Sequence, residues 1–387
     1  MPTPFSDAEY ADRIDQVREI MRHRDLSALI LFAQESLYYL FGYDGGGYVF
    51  FQCAVLTLDD RPTTLLCRRP DVAQARDTSS IKDIQVWENA EDADPAGALA
   101  DILRQCALGG ERVGIELDNF GLTGANHAAV EKALTGVCDL EDASDVVRGL
   151  RLIKSDAELD FVRKAARLAD RAVEAVQAGA RPGVLDSKLT AAAMTAILEG
   201  GGDMPPAGPL VNSGRRSLYG RGVGGPRALS DSDQVIVELA GTFRRYNACI
   251  ERTILVGPPE PAQTQLLSLV KGTLEEMLAA TRPDRPLGEI DEIHRNNLDA
   301  AGYADQRYAA CGYSLGATYR PSWMDVPPMI YSGNPLIMRP GMVFFPHVML
   351  GDAAAGLGIG LGQTIIVTAD GCEVLSQLPL DMRATPA

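Results

Sequence analysis

The chain has 387 residues, 46% of them hydrophobic, enough for two compact domains that each bury a core. A formal net charge of −16 and a pI of about 4.7 repel phosphate backbones and anionic lipid heads, which argues against nucleic acid and membrane surfaces as partners. No apolar run approaches the ~18 residues needed to cross a bilayer, and MPTPFSDAEY lacks the basic-then-apolar pattern of a signal peptide, so a cytoplasmic protein is expected.

The first predicted helix opens at a capping box, Ser6 with Glu9, and carries Tyr10, Ile14, Val17 and Met21 on one face. A buried-type strand follows at 28–32, with further strand-like runs at 49–58, 63–67 and 113–116 and helical stretches at 95–106 and 126–134. Strands alternating with helices in this way predict an α/β domain over 1–152. A second capping box, Ser155 with Glu158, starts a long amphipathic helix through Leu159, Val162, Ala166, Ala169, Val173 and Val176. A helix at 187–199 ends at Gly200-Gly201-Gly202. Beyond it come strands, hairpins and glycine-rich loops, broken by helices near 264–280 and 287–301, which is an α+β plan for 153–387. No internal repeat or low-complexity tract is present.

Seven scattered cysteines without a CxxC pair, several in apolar runs, read as buried thiols in a reducing compartment. Four histidines, His23, His127, His294 and His347, leave little scope for metal chemistry or a Ser-His-Asp site. The most informative segment is QVIVELAGTFRRYNACIERTILVG at 234–257, which reads as two strands joined by a turn at 243–246. Glu238 sits inside an apolar run, where a carboxylate is costly unless paired or functional. Cys249, Glu251 and Thr253 alternate onto one face of the returning strand, so the two glutamates can converge. The structural alternative is that one of them pairs with Arg252 or another arginine. The string GLGIGLG at 356–362 imitates a phosphate loop but lacks the Lys-Ser/Thr ending, so no nucleotide site is expected.

This hairpin resembles the metal-site hairpin of the creatinase/prolidase ("pita-bread") family. The resemblance continues in order through VNSGRR at 211–216, CGYSLGATYRPSW at 311–323, RPGMVFF at 339–345 and TIIVTADGCEVLS at 364–376. It implies a creatinase-like α/β N-terminal domain followed by a pita-bread catalytic domain. Metallopeptidases of this fold hold two metal ions with two Asp, one His and two Glu. The matching positions here are Glu238, Cys249, Tyr313, His347 and Gly362, of which one keeps a carboxylate. Two ions need several hard oxygen ligands, so the resemblance narrows to the metal-free members, creatinase and ectoine hydrolase, and implies no metal or other cofactor. A single zinc at Glu238, Cys249 and His347 is the remaining metal alternative.

The expected activity is hydrolysis of a non-peptide C–N bond in a small zwitterion, ectoine-like or creatine-like. Glu238 is expected to act as base or nucleophile, with Glu251 and His347 as the other catalytic groups. Expected substrate contacts are Tyr48 and Phe50 (contributed by the partner in a homodimer through loop 43–52), Arg221, Tyr246, Cys249, Tyr313, Tyr319, Arg320 and Trp323. Three rivals stay open: an Xaa-Pro dipeptidase or aminopeptidase with a degenerate metal site, a lyase acting on a small zwitterion, and an inactive binding module.

Overall fold

The computed structural model describes residues 3–384. The chain divides into two compact units, Met1–Arg151 and Leu152–Ala387.

The first unit is built on six strands: β1 (Ala28–Leu31), β2 (Cys53–Thr57), β3 (Thr64–Arg68), β4 (Asp83–Trp87), β5 (Arg112–Ile115) and β6 (Asp139–Asp142). They form one mixed sheet in the order β4-β3-β2-β1-β5-β6. Its helices are α1 (Asp7–Arg24), α2 (Gln34–Phe41), α3 (Val72–Thr78), α4 (Pro95–Gln105), α5 (Gly124–Leu134) and α6 (Ser144–Arg151). Alternation along the strands serves two cores. Ile30, Val55 and Leu66 pack with Leu99, Leu103 and Val130 of α4 and α5. Leu29, Leu31, Leu56 and Leu65 pack with Val17, Leu37 and Val147 of α1, α2 and α6. The expected α/β layering is present.

The strand expected at 49–58 is shorter, because residues 47–49 form a 3-10 turn before β2 begins at Cys53. Three side chains close this loop on itself. Tyr43 Oη donates to Gln52 Oε1 at 3.0 Å, Gln52 Nε2 to Gln34 Oε1 at 2.9 Å, and Gln34 Nε2 to the Tyr43 carbonyl at 2.7 Å. Gly47 permits the close approach, since a Cβ there would lie 2.2 Å from Gln52 Oε1. The loop therefore does not present a row of exposed aromatics. Tyr48 and Phe51 are buried, while Phe50 is 45% exposed beneath the Arg68 guanidinium, 3.5 Å from the ring centre.

The second unit contains α7 (Asp156–Gly179), α8 (Asp186–Glu199), α9 (Pro261–Ala280) and α10 (Gly288–Ala300). Both halves of the Ser155–Glu158 capping box are formed at the start of α7. The strands are β7 (Leu210–Ser213), β8 (Asp233–Phe243), β9 (Tyr246–Val256), β10 (Ala310–Ser314), β11 (Met329–Tyr331), β12 (Val343–Asp352), β13 (Leu357–Gln363), β14 (Ile365–Val367), β15 (Cys372–Val374) and β16 (Met382–Arg383). The main sheet runs β11-β10-β12-β13-β9-β8-β7, with β14 to β16 attached at its side. One face of it packs on the helices. Val235, Val237, Leu239, Ile250 and Ile254 meet α7 and α8. Phe344, Val348, Leu350, Ile359 and Leu361 meet α9 and α10. Period-two alternation leaves Glu238, Cys249, Glu251, Phe345, His347 and three glycines, Gly358, Gly360 and Gly362, on the other face. The GLGIGLG string is thus a turn glycine, Gly356, followed by a sheet strand whose three glycines, Gly358, Gly360 and Gly362, fall on the side away from the helices.

Candidate active site

Four strands carry one row of residues across the open face of the second sheet. Glu238 on β8 pairs with Glu251 on β9, Glu251 with Gly362 on β13, and Gly362 with His347 on β12. The missing side chains in β13 make the space. A Cβ on Gly360 would lie 2.0 Å from Glu251 Oε1, and one on Gly362 would lie 2.7 Å from the Phe345 ring. The Glu251 carboxylate and the Phe345 ring occupy that room. Phe345 stacks on His347 at 5.3 Å and 18° and lies 5.4 Å from Tyr313.

The polar groups here are incompletely satisfied. Glu251 Oε2 and His347 Nδ1 are buried without a hydrogen-bond partner among the described residues. They lie 3.6 Å apart, too far for a formed hydrogen bond. Glu238 Oε1 accepts from Tyr313 Oη at 3.0 Å, and Tyr313 Oη accepts from Trp323 Nε1 at 2.8 Å. Burial, then the charge of Glu251, pushes the Glu238 pKa up to about 7, against the pull of His347, Tyr313 and Arg221. Burial opposes protonation of His347, but Glu251 and Glu238 outweigh it and hold the imidazole above its ordinary value. Burial, then Cys249 and Glu238, drives the Tyr313 phenol well up, so it stays a proton donor. The Cys249 thiol is likewise pushed far up by burial and by Glu238, so it is no thiolate nucleophile. The result is two facing carboxylates with an imidazole in the same row, in which Glu251 acts on both Glu238 and His347.

Arg252 does not neutralise either glutamate. It points to the helix side, where it donates to the carbonyls of Glu251, Gly362 and Pro379 and to Gln363 Oε1. Arg221 lies at the exposed rim, in a groove of about 670 Å³ that it shares with Tyr219, Val223 and Tyr308. Tyr308 is a residue that the sequence did not flag. Burial, then Glu251 and Glu238, raises its phenol pKa, which puts it in the field of both carboxylates. Its segment carries no motif that would single it out.

Tyr246 is five residues from Glu251 on β9, an odd offset that turns it to the helix face, where its hydroxyl donates to Glu158 Oε1 at 2.6 Å. It is a packing residue of the α7 contact, and the expectation that it lines the pocket is corrected. Tyr319 is buried, with the Arg245 guanidinium 5.2 Å from its ring centre, and Arg320 is exposed beside it. Tyr48 and Phe50 belong to the first unit.

The pattern of metallopeptidase family M24 matches residues 160–369, more than half of the chain, and the creatinase/prolidase N-terminal domain matches residues 13–153. The chain belongs to family M24. This M24 hydrolase is 26% identical to an ectoine hydrolase of Halomonas elongata, over 97% of each chain. It is 23% identical to an Xaa-Pro dipeptidase of Pyrococcus furiosus, over 95% of this chain and 98% of that one. Its fold is that of a Thermococcus sibiricus prolidase, with a TM-score of 0.88 and 19% identity over 98% of this chain and 100% of that one.

The two-metal ligand set of the M24 metallopeptidases does not fit the residues present. At the five ligand positions the side chains are a carboxylate, a thiol, a phenol, an imidazole and none. The phenol is committed to Glu238 and Trp323, and the place of the side chain missing at Gly362 is filled by Phe345. Hard divalent ions need more oxygen ligands than this.

Proposed function

We propose that this M24 protein hydrolyses a C–N bond of a small zwitterion, an amide or amidine of the ectoine or creatine kind, without a metal ion. The observation that carries the reading is the pairing of Glu238 with Glu251, with His347 in the same row and two polar atoms of the row left unpartnered. Glu238, with its pKa near neutrality, takes a proton from water as the water oxygen attacks the amide or amidine carbon. Protonated His347, held charged by Glu251, gives its proton to the departing nitrogen. Carbon gains OH and nitrogen gains H, so one water is consumed. Tyr313 orients Glu238, and Trp323 orients Tyr313. Two carboxylates facing the cavity favour a cationic centre on the substrate, and Arg221 at the rim suits its carboxylate. The working unit is a cytoplasmic homodimer in which the partner's loop 43–52, with exposed Phe50, completes the aromatic wall. The similarity to ectoine hydrolase supports the substrate class.

A second reading, an Xaa-Pro dipeptidase, has the similarity to such an enzyme in its favour. One experiment separates the two. Chelator-treated protein is offered ectoine, guanidino acids, N-acyl amino acids and Xaa-Pro dipeptides in heavy-oxygen water, with products read by mass spectrometry. Turnover of a small amide or amidine, with one heavy oxygen incorporated and chelator present, is the expected result. Cleavage of dipeptides alone, dependent on added manganese or cobalt, would overturn it. A product without heavy oxygen would make the enzyme a lyase, and no product from any compound would make it a binding module.

A further inference from the structure

A second cluster of chemically active side chains lies within the second unit, in the helix-side core. Asp291 and His294 are one turn apart on the same face of α10 and are 0% and 1% exposed. Cys311 on β10, 1% exposed, faces them, and one ligand atom from each of the three lies within 4.8 Å of the others. The surroundings are apolar: Ile290, Leu298, Ile330 and Met338 belong to the same core. In that setting both Asp291 oxygens and His294 Nδ1 have no hydrogen-bond partner among the described residues. His294 Nδ1 is 3.3 Å from Asp291 Oδ1 but does not meet hydrogen-bond geometry. An unpaired carboxylate in an apolar core is strongly unfavourable. A simple His–Asp ion pair relieves one oxygen and leaves the second facing the Cys311 thiol.

We infer that Asp291, His294 and Cys311 form a structural site for one thiophilic divalent cation, with zinc as the natural occupant. The donor set of one carboxylate oxygen, one imidazole nitrogen and one thiolate sulfur is a zinc set, and three such ligands with a water complete a tetrahedron. Charge also balances, since a dication cancels one carboxylate and one thiolate, which leaves a neutral cluster in an apolar core. On binding, the Cys311 thiol loses its proton to solvent and a sulfur–metal bond forms. The fold is shaped for this. A register shift between Ala310 and Tyr313, with Gly312 at a φ of 151°, re-aims β10 so that Cys311 faces α10 while Tyr313, two residues on, faces Glu238. The ion would pin the strand that orients the catalytic carboxylate. It stands apart from the row of Glu238, Glu251 and His347, and the inference does not rest on the hydrolytic reading.

The test uses the full chain. Purified under reducing conditions and rinsed with a weak chelator, wild type is expected to carry about one zinc per chain. Glu238→Gln and His347→Ala should keep that zinc, and Cys311→Ala and Asp291→Asn should fall below about a tenth of it. Wild type unfolded in chelator and refolded with cobalt should show a thiolate-to-cobalt charge-transfer band. Cys249→Ala should keep the band, and Asp291→Asn should lose it. The cobalt spectrum of wild type and Cys249→Ala decides the matter even if Cys311→Ala does not fold. Absence of zinc from wild type together with no cobalt band on refolding overturns the site, as does metal that persists undiminished in folded Cys311→Ala or leaves with His347→Ala.

Discussion

Two glutamates, buried Glu116 in the first unit and half-buried Glu238 in the second, are both pushed up to a pKa of about 7 chiefly by loss of solvent, yet they do different work. Glu116 in the first unit is saturated. Its oxygens accept from Ser36 Oγ and from the Ala33 amide at 2.8 Å, at the very start of α2. Those donors belong to the frame, and the carboxylate acts as a cap that joins β5 to α2. Glu238 in the second unit has one hydroxyl donor, and it faces a second carboxylate and an imidazole that both keep unpartnered atoms. The perturbed pKa by itself therefore does not mark the active site. What separates the two is satisfaction: a structural carboxylate closes its hydrogen bonds within the fold, and a reactive one leaves valences toward a space that a substrate can enter.

Substitutions can break this contrast, and the largest effect falls on turnover. Glu238→Gln removes a base at nearly constant volume and should lower the rate by about 10²–10⁴. Glu116→Gln should change it by less than about twofold, because nothing it holds touches substrate. Steady-state rates on the same substrate compare the two, and a Glu238→Gln chain with more than about a tenth of wild-type rate, a barrier change under ~1.4 kcal/mol, would end the assignment of Glu238 as base.

Stability should move in the opposite sense. A raised pKa means that each folded glutamate keeps a proton which the unfolded chain releases. Stability is then full below the unfolded carboxyl range and declines as pH rises toward about 7. Glu238→Gln removes that penalty and should stabilise the fold at pH 8 by at most about 3 kcal/mol, with the gain vanishing near pH 4. Glu116→Gln disturbs formed hydrogen bonds and should cost about 1–3 kcal/mol at pH 5, where the penalty is small. Urea unfolding at the two pH values reads both signs.

The pH–rate profile sharpens the comparison further. Turnover per bound substrate should rise as pH passes about 7, where Glu238 ionises, and fall at higher pH as His347 loses its proton. In Glu116→Gln the same limbs should be found, and in His347→Gln the alkaline fall should disappear. An alkaline limb unchanged in His347→Gln would remove the imidazole from the proton path. The smallest effect is expected at the end of the hydrogen-bond chain. Trp323→Phe takes away one neutral hydrogen bond to Tyr313, worth about 1 kcal/mol, and should slow turnover by roughly fivefold without changing the fold.

Several features were legible from local pattern. The Ser155–Glu158 capping box, the amphipathic helix after it, the hairpin around the turn after Phe243 and the place of Glu238 within an apolar strand each depend on neighbours within a few residues, and each is formed. Cys249 and Glu251 on one face follow from period-two alternation, and so does the side on which Tyr246 falls, since its offset of five from Glu251 is odd. The same arithmetic, applied at 356–362, finds glycines on alternate residues of a strand.

What the sequence by itself determined is the element order, the two-unit plan, and the fact that a carboxylate pair sits on adjacent strands of one hairpin. Those are short-range consequences of periodicity, capping and turn chemistry. The family resemblance already brought His347 and Gly362 to the site; only the tertiary structure decided that they stand in register with the two glutamates, that Phe345 fills the gap opposite a glycine, that Tyr308 stands in the field of both glutamates, and that Cys311 meets Asp291 and His294. Each depends on register between strands, or on a helix laid over a strand, from distant parts of the chain. That register is set by how the whole sheet buries its apolar face against α7 to α10, and no local window contains it.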